Sequence, residues 1–277
     1  NKGLVAYYPF NGNANDESGN GNDGTVNGAT LTLDRNGEVG SAYNFDGNDF
    51  VAIPDSTSLE YDAGGRLSIS AWVKVSDITS LGVIYSNYRC VDGDLDLSAT
   101  FPERTLRFTT RDSVGADNET KRLNWAVAEN SFDRWLHLTA VRDYESESIS
   151  FYIDGTVIVT ESDARTGGFS IPRSPGQHWI GAKGRCDNRF APQFHFNGDI
   201  DDVRIYNRAL NEQEVRALYA LESKGNQFQI IEGNFTWQEA KADAEAKGGR
   251  LAVLNTQEKI DAANALLRPT GPTVWIG

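Results

Sequence analysis

From Leu4 to Tyr206 the sequence is a succession of short runs in which apolar and polar residues alternate, broken by clusters of Gly, Asn, Asp and Pro. A period of two puts every second side chain on one face of an extended strand, so each run can bury only half of itself and needs a second sheet to cover that half. The clearest run is Leu67 to Val75, where Leu67, Ile69, Ala71, Val73 and Val75 alternate with Ser68, Ser70, Trp72 and Lys74. The first set is expected to face a core. The period recurs in Trp135 to Val141 and in Ile149, Phe151 and Ile153, and Asp154-Gly155 before Val157 signals a hairpin. No short internal repeat is visible. The expected fold class is mainly β, an antiparallel β-sandwich.

At Asn211 the period changes. Asn211 can cap a helix with Glu214 three residues on, and Val215, Leu218 and Leu221 fall at helical spacing. A short helix is expected to close a first domain, 1–222. Ser223-Lys224-Gly225-Asn226 has linker composition, and Thr236-Trp237-Gln238-Glu239 is a second capping box. The helix it opens is rich in Ala, Glu and Lys and stops at Gly248-Gly249. Residues 223–277 read as a small α+β partial domain.

The net charge of −13 repels a phosphate backbone, so nucleic-acid binding is not expected. No run of about 18 apolar residues exists to insert into a membrane. Without Met or a leader, the chain reads as part of a larger or processed protein. His137, His178 and His195 have neither zinc spacing nor a Ser/His/Asp arrangement. The two cysteines, Cys90 and Cys186, match no zinc signature and form either one disulfide or two free thiols. The loop from Asn11 to Gly24 is dense in oxygens but is no EF-hand, since Asp16 stands where that motif needs Gly and Asn22 where it needs Glu. By composition alone it is an Asn/Gly turn.

A set of ordered motifs carries a resemblance over residues 3 to 222. They are Gly3-Leu4-Val5-Ala6-Tyr7-Tyr8-Pro9-Phe10, the loop Asp16 to Gly24, Asn44-Phe45-Asp46-Gly47, Leu67 to Val73, Trp135-Leu136-His137-Leu138, Phe151 to Gly155 and Asn197 to Leu210. Together they resemble the laminin-G-like jelly rolls of the concanavalin A superfamily. The resemblance implies a structural calcium between the early loop and the last strand, held by Asp16, the Gly19 carbonyl and Asn22 together with Asp201 or Asp202. It also implies a secreted or cell-surface setting, in which Cys90 and Cys186 would be bonded.

Residues 226 to 277 are similar to the N-terminal half of a C-type-lectin-like domain, through Trp237 with Ala240, Gly248 to Val253, Glu258 and Trp275-Ile276-Gly277. Ala244 stands where that family places its first long-range cysteine. The segments that carry the family's ligands would lie beyond Gly277, so no sugar binding is carried over to this part.

Around Cys90 stand Tyr88, Arg89, Asp92 and Asp94, and around Cys186 stand Arg185, Asp187, Asn188, Arg189, Phe190, Phe194 and His195. Flat aromatic faces beside planar hydrogen-bonding groups suit a sugar, and Tyr88, Arg89, Asp92, Arg185, Asp187, Asn188 and Arg189 are the candidate ligand-binding residues. The plainer reading is a stapled rim with Phe190 and Phe194 as core plugs. Trp72 and Trp135, inside strongly patterned strands, are expected to be buried.

Glycosidases of this superfamily carry alternating carboxylates on one strand. Asp94 and Asp96 are the nearest candidates, but residue 98 is Ser, and Glu145 and Glu147 lie in a turn-like run. The expected function is a non-catalytic extracellular carbohydrate-binding module with calcium, its partner a cell-surface glycan. The alternative is a structural or protein-binding segment of a large bacterial-type surface adhesin.

Overall fold

The computed structural model describes residues 2–59, 66–76, 81–87, 95–100, 104–111, 120–127, 134–163, 178–184, 192–223 and 235–246. They divide between two compact units, Asn1–Glu222 and Ser223–Gly277.

The strands of the first unit are β1 (Leu4–Tyr8), β2 (Thr25–Asn27), β3 (Thr30–Leu33), β4 (Val39–Asp46), β5 (Phe50–Ile53), β6 (Leu67–Val75), β7 (Gly82–Ser86) and β8 (Leu95–Thr100). They continue as β9 (Thr105–Arg111), β10 (Thr120–Ala126), β11 (Leu136–Asp143), β12 (Ser148–Ile153), β13 (Thr156–Ser162), β14 (His178–Ile180) and β15 (Asn197–Tyr206), followed by helix α1 (Glu212–Glu222). An eight-stranded sheet runs β13-β12-β11-β6-β15-β4-β3, with β1 added to β15. A seven-stranded sheet runs β10-β9-β8-β7-β14-β5-β2. Between them lies a core that includes Phe10, Phe45, Ile69, Leu97, Phe108, Phe151 and Phe196, all at most 1% exposed. The sandwich expected from the alternation is therefore present.

Strand β6 departs from the expected half-burial: every residue except Lys74 is buried. Its polar alternates Ser68, Ser70 and Trp72 lie under a second layer. Helix α1 covers this outer face with Val215, which packs with Val141, Tyr152, Tyr206 and Leu210, and with Tyr219, which stacks on Trp72 at 5.8 Å between ring centroids. The helix starts as expected: the Asn211 side chain accepts from the Glu214 amide at 3.0 Å, and the Glu214 carboxylate accepts from the Asn211 amide at 2.9 Å. Its buried face is different. Leu221 is 69% exposed while Glu222 is 6% exposed, because residues 215, 219 and 222 share one side at about 100° per residue and 221 turns away. Trp135, expected to be buried, is only half-buried.

In the second unit, α2 (Trp237–Ala246) opens on the expected capping box, the Thr236 amide and hydroxyl both donating to the Glu239 carboxylate at 2.8 Å.

Candidate functional site

The carboxylates expected to share a cation fall into two separate clusters. A bulge in β15 between Asp201 and Arg204, with Asp202 at φ +47°, brings two consecutive acids to one cation, the Arg35 guanidinium from the β3–β4 turn. Arg35 lies 2.6 Å from Asp201 Oδ2 and 2.8 Å from Asp202 Oδ2, and donates to the Glu222 carbonyl at 3.1 Å. The Tyr7 hydroxyl donates to Asp202 Oδ1 at 2.6 Å. The Glu222 carboxylate accepts from the Trp72 indole N–H at 2.7 Å, pairs with Arg204, and lies 3.2 Å from His137 Nε2. Arg35 also lies 4.6 Å over the Trp72 ring. This network anchors the end of α1 to the sheet.

Two guanidinium groups face three carboxylates here, so the cluster is neutral only with one added proton. His137 does not supply it: burial, with Arg204 beside it, pushes its pKa down to about 3. Burial and the adjacent Asp202 charge instead push Asp201 up to about 8, with Arg35 opposing. A carboxyl whose folded pKa lies above its unfolded value of about 3.9 holds a proton the unfolded chain has lost. Its contribution is fully present below about pH 4 and disappears as pH rises through about 8. Melting temperature is expected to fall from pH 7 to 9, and Asp201→Asn, neutral throughout, to flatten that fall. An equal slope in the variant would place the titration elsewhere.

Asp16 belongs to the other cluster. Its Oδ1 accepts from the Tyr7 and Ser18 amides and its Oδ2 from the Ser18 hydroxyl and the Asn22 amide, all at 2.9 Å. Asn22 donates to the Val5 carbonyl at 2.8 Å and to Ser58 Oγ at 2.9 Å, and accepts from Ser58 Oγ at 3.1 Å. Gly19 stands exposed at φ +91° in the same loop. Asp16, Gly19 and Asn22 thus form one hydrogen-bonded loop against β1, whereas Asp201 and Asp202 face Arg35. Among the described residues no three His, Cys, Asp or Glu side chains converge to hold a metal.

The second region with chemistry is the outer face of the seven-stranded sheet, where Ser86, Asp96, Ser98, Thr109 and Trp179 are buried and Arg122 and Asn124 are exposed. Because Leu123, Phe108, Leu97, Tyr85, Ile180 and Val51 face the core, the residues alternating with them face outward. Register places Arg122, Thr109, Asp96, Ser86, Trp179, Ala52 and Thr25 in one row across all seven strands. A second row holds Asn124, Arg107, Ser98 and Val83. Asp96 Oδ2 pairs with Lys183 at 2.6 Å, and its Oδ1 accepts from Ser98 Oγ at 3.0 Å. Among the described residues the outward neighbours Ser86, Ser98, Thr109 and Arg107 give Asp96 no second carboxylate; Asp94 lies outside the described residues. Glu145, in the other candidate pair, is exposed in the turn before β12 and pairs with Arg66.

The stems of the two cysteine segments meet on this face. The Asn87 side chain accepts from the Leu95 amide at 2.7 Å, closing the mouth of segment 88–94. Ser86 Oγ donates to the Ala182 carbonyl at 2.9 Å, and Lys183 reaches Asp96, just outside segment 185–191. A Cβ on Gly184 would lie 2.6 Å from the Trp179 ring, so the main chain there runs directly over the indole, which is 3% exposed. Phe194 is not a core plug: it is 43% exposed at φ +54°, its carbonyl accepting from the Val83 amide at 2.8 Å. Tyr88, Arg89, Asp92, Arg185, Asp187, Asn188 and Arg189, and Cys90 and Cys186, lie outside the described residues.

Two facing antiparallel sheets joined by long crossovers define a lectin-type β-sandwich. Residues 45–216 match the family model of the concanavalin A-like lectin/glucanases superfamily, and the chain belongs to that family. Among solved structures, the binding domain of botulinum neurotoxin serotype G is 18% identical with a TM-score of 0.61, over 83% of this chain and 54% of that one. Domain 4 of AbnA, an extracellular arabinanase from Geobacillus stearothermophilus in complex with arabinotriose, is 21% identical with a TM-score of 0.56, over 78% of this chain and 98% of that one. The binding domain of botulinum neurotoxin DC in complex with SialylT is 14% identical with a TM-score of 0.58, over 84% and 54%. The chain spans about half the length of the toxin binding domains. At these identities the likeness is one of fold. No curated protein matches the chain.

Proposed function

We propose that the first unit is a non-catalytic, extracellular carbohydrate-binding module whose ligand sits on the outer face of the seven-stranded sheet. The observation that carries this reading is the meeting of the stems of segments 88–94 and 185–191 at Lys183–Asp96 and Ser86–Ala182, beside the exposed ring of Phe194. Cys90 stands three residues beyond Asn87 and Cys186 two beyond Gly184. Neighbouring strands lie about 4.8 Å apart and each residue adds about 3.3 Å of reach, so a disulfide is within range. A staple there would gather Tyr88, Arg89, Asp92, Arg185, Asp187, Asn188 and Arg189 on one rim. The arabinotriose and SialylT complexes of structures with this fold support a glycan as the ligand class. Asp96, tied to Lys183 and followed two residues on by Ser98 instead of a further acid, supports binding without hydrolysis.

The test is a glycan-array screen of the whole chain, with hits repeated after Phe194→Ala and after alkylation with and without reductant. Glycan hits weakened about tenfold by Phe194→Ala, with thiols that alkylate only after reduction, are expected. Absence of hits, together with capture of a protein partner, would favour the adhesin segment instead.

A further inference from the structure

We infer that the glycan is acidic and that Arg107 and Arg122 receive its anionic group, a carboxylate or a sulfate. The inference rests on the carbohydrate reading above and adds the ligand's charge. In a chain of net charge −13, acids outnumber cations 39 to 26, and many of the described cations face a carboxylate. Arg35, Arg66, Arg134, Arg142, Arg204, Arg208 and Arg216 each face a carboxylate, as do Lys121 and Lys183. Arg107 and Arg122 differ from these nine. Neither forms an ion pair among the described residues, and they are neighbours on one surface.

Their placement follows from register. Arg107 stands opposite Asn124 and Arg122 opposite Thr109, all four on the outer face of β9 and β10. The two arginines are therefore diagonal neighbours, about 7 Å apart at the backbone, within reach of one ligand group. Arg107 Nε donates to Asn124 Oδ1 at 2.9 Å. That bond holds the guanidinium plane and leaves its two Nη groups and the Asn124 Nδ2 as unused donors. Arg122 and Asn124 are exposed. The nearest described acid on the face, Asp96, is already neutralised by Lys183. Two like charges side by side cost folding free energy, which an oxyanion held between them would recover. The planar fork of arginine matches carboxylate and sulfate alike. Screening over about 8 Å at physiological salt lets this local pair act although the whole molecule repels anions.

The experiment compares polymers that differ only in charge: polygalacturonate with fully methyl-esterified pectin for carboxylate, and dextran sulfate with dextran for sulfate. The whole chain and its Arg107→Gln, Arg122→Gln and Arg216→Gln variants are titrated by calorimetry, with melting temperatures as the check on folding. Binding to at least one charged polymer is expected, weakened about tenfold or more by Arg107→Gln and by Arg122→Gln, unchanged by Arg216→Gln, and falling with added salt. Whichever charged polymer binds identifies the anion. Equal loss with Arg216→Gln would reduce the effect to general charge and overturn the proposal. Binding to the neutral polymers alone, indifferent to both arginines, would overturn the charge assignment and leave the carbohydrate reading intact. No binding to any polymer or array glycan would overturn both.

Discussion

Arg35→Ala is expected to destabilise the first unit by about 3–5 kcal/mol, because it leaves buried carboxylates without their partner. Asp201 and Asp202 side chains are 3% and 11% exposed, and both lean on the same guanidinium at 2.6 and 2.8 Å. The variant also removes the donors to the Glu222 carbonyl, freeing the last turn of α1, and the cation over Trp72. Arg35→Lys should recover only part of the loss, since an ammonium is a point charge that cannot bridge two carboxylates and a carbonyl at once. Denaturant unfolding followed by Trp fluorescence reads the effect directly. A loss below about 1 kcal/mol would mean that water enters and solvates the acids once the arginine is gone.

The sandwich was legible because alternation is a local property: Leu67, Ile69 and Ala71 declare their face without knowing their partner strand. Both capping boxes were legible for the same reason, each being written within four residues. The outer layer was not. Trp72 is buried as expected, although it alternates with the core residues of β6, and what covers it, Tyr219 and Glu222, lies about 150 residues away. The helical spacing pointed to Leu221 and not to Glu222, and only the Trp72 indole and Arg204 explain a buried carboxylate there. Arg35 carried no signal at all within Asp34-Arg35-Asn36-Gly37, an ordinary turn. The resemblance implied a metal at Asp201 or Asp202, and sequence shows those acids but not the Arg35 guanidinium that meets them. That Arg107 and Arg122 stand side by side with no acid between them is likewise visible only in the register of the folded sheet.

Asp16→Ala carries the other large effect, an expected loss of about 2–4 kcal/mol, since it orphans four donors in a loop that packs on β1. Asp16→Asn should be milder. One oxygen survives to accept two of the bonds, and the Ser18 hydroxyl can rotate to accept from the new amide, leaving one amide donor facing another. Glu17→Ala, an exposed neighbour, should stay within about 0.5 kcal/mol and serves as the control. The same samples test the loop for a cation. Since protein donors already meet both oxygens of Asp16, while Asp201 and Asp202 are held by Arg35, melting temperatures are expected to be equal in calcium and in chelator. A rise with calcium in the parent chain that Asp16→Ala abolishes would show that an ion can displace those donors. In that case the carboxylate would orient the loop through the metal, and its cost of removal would depend on calcium concentration as binding linkage requires.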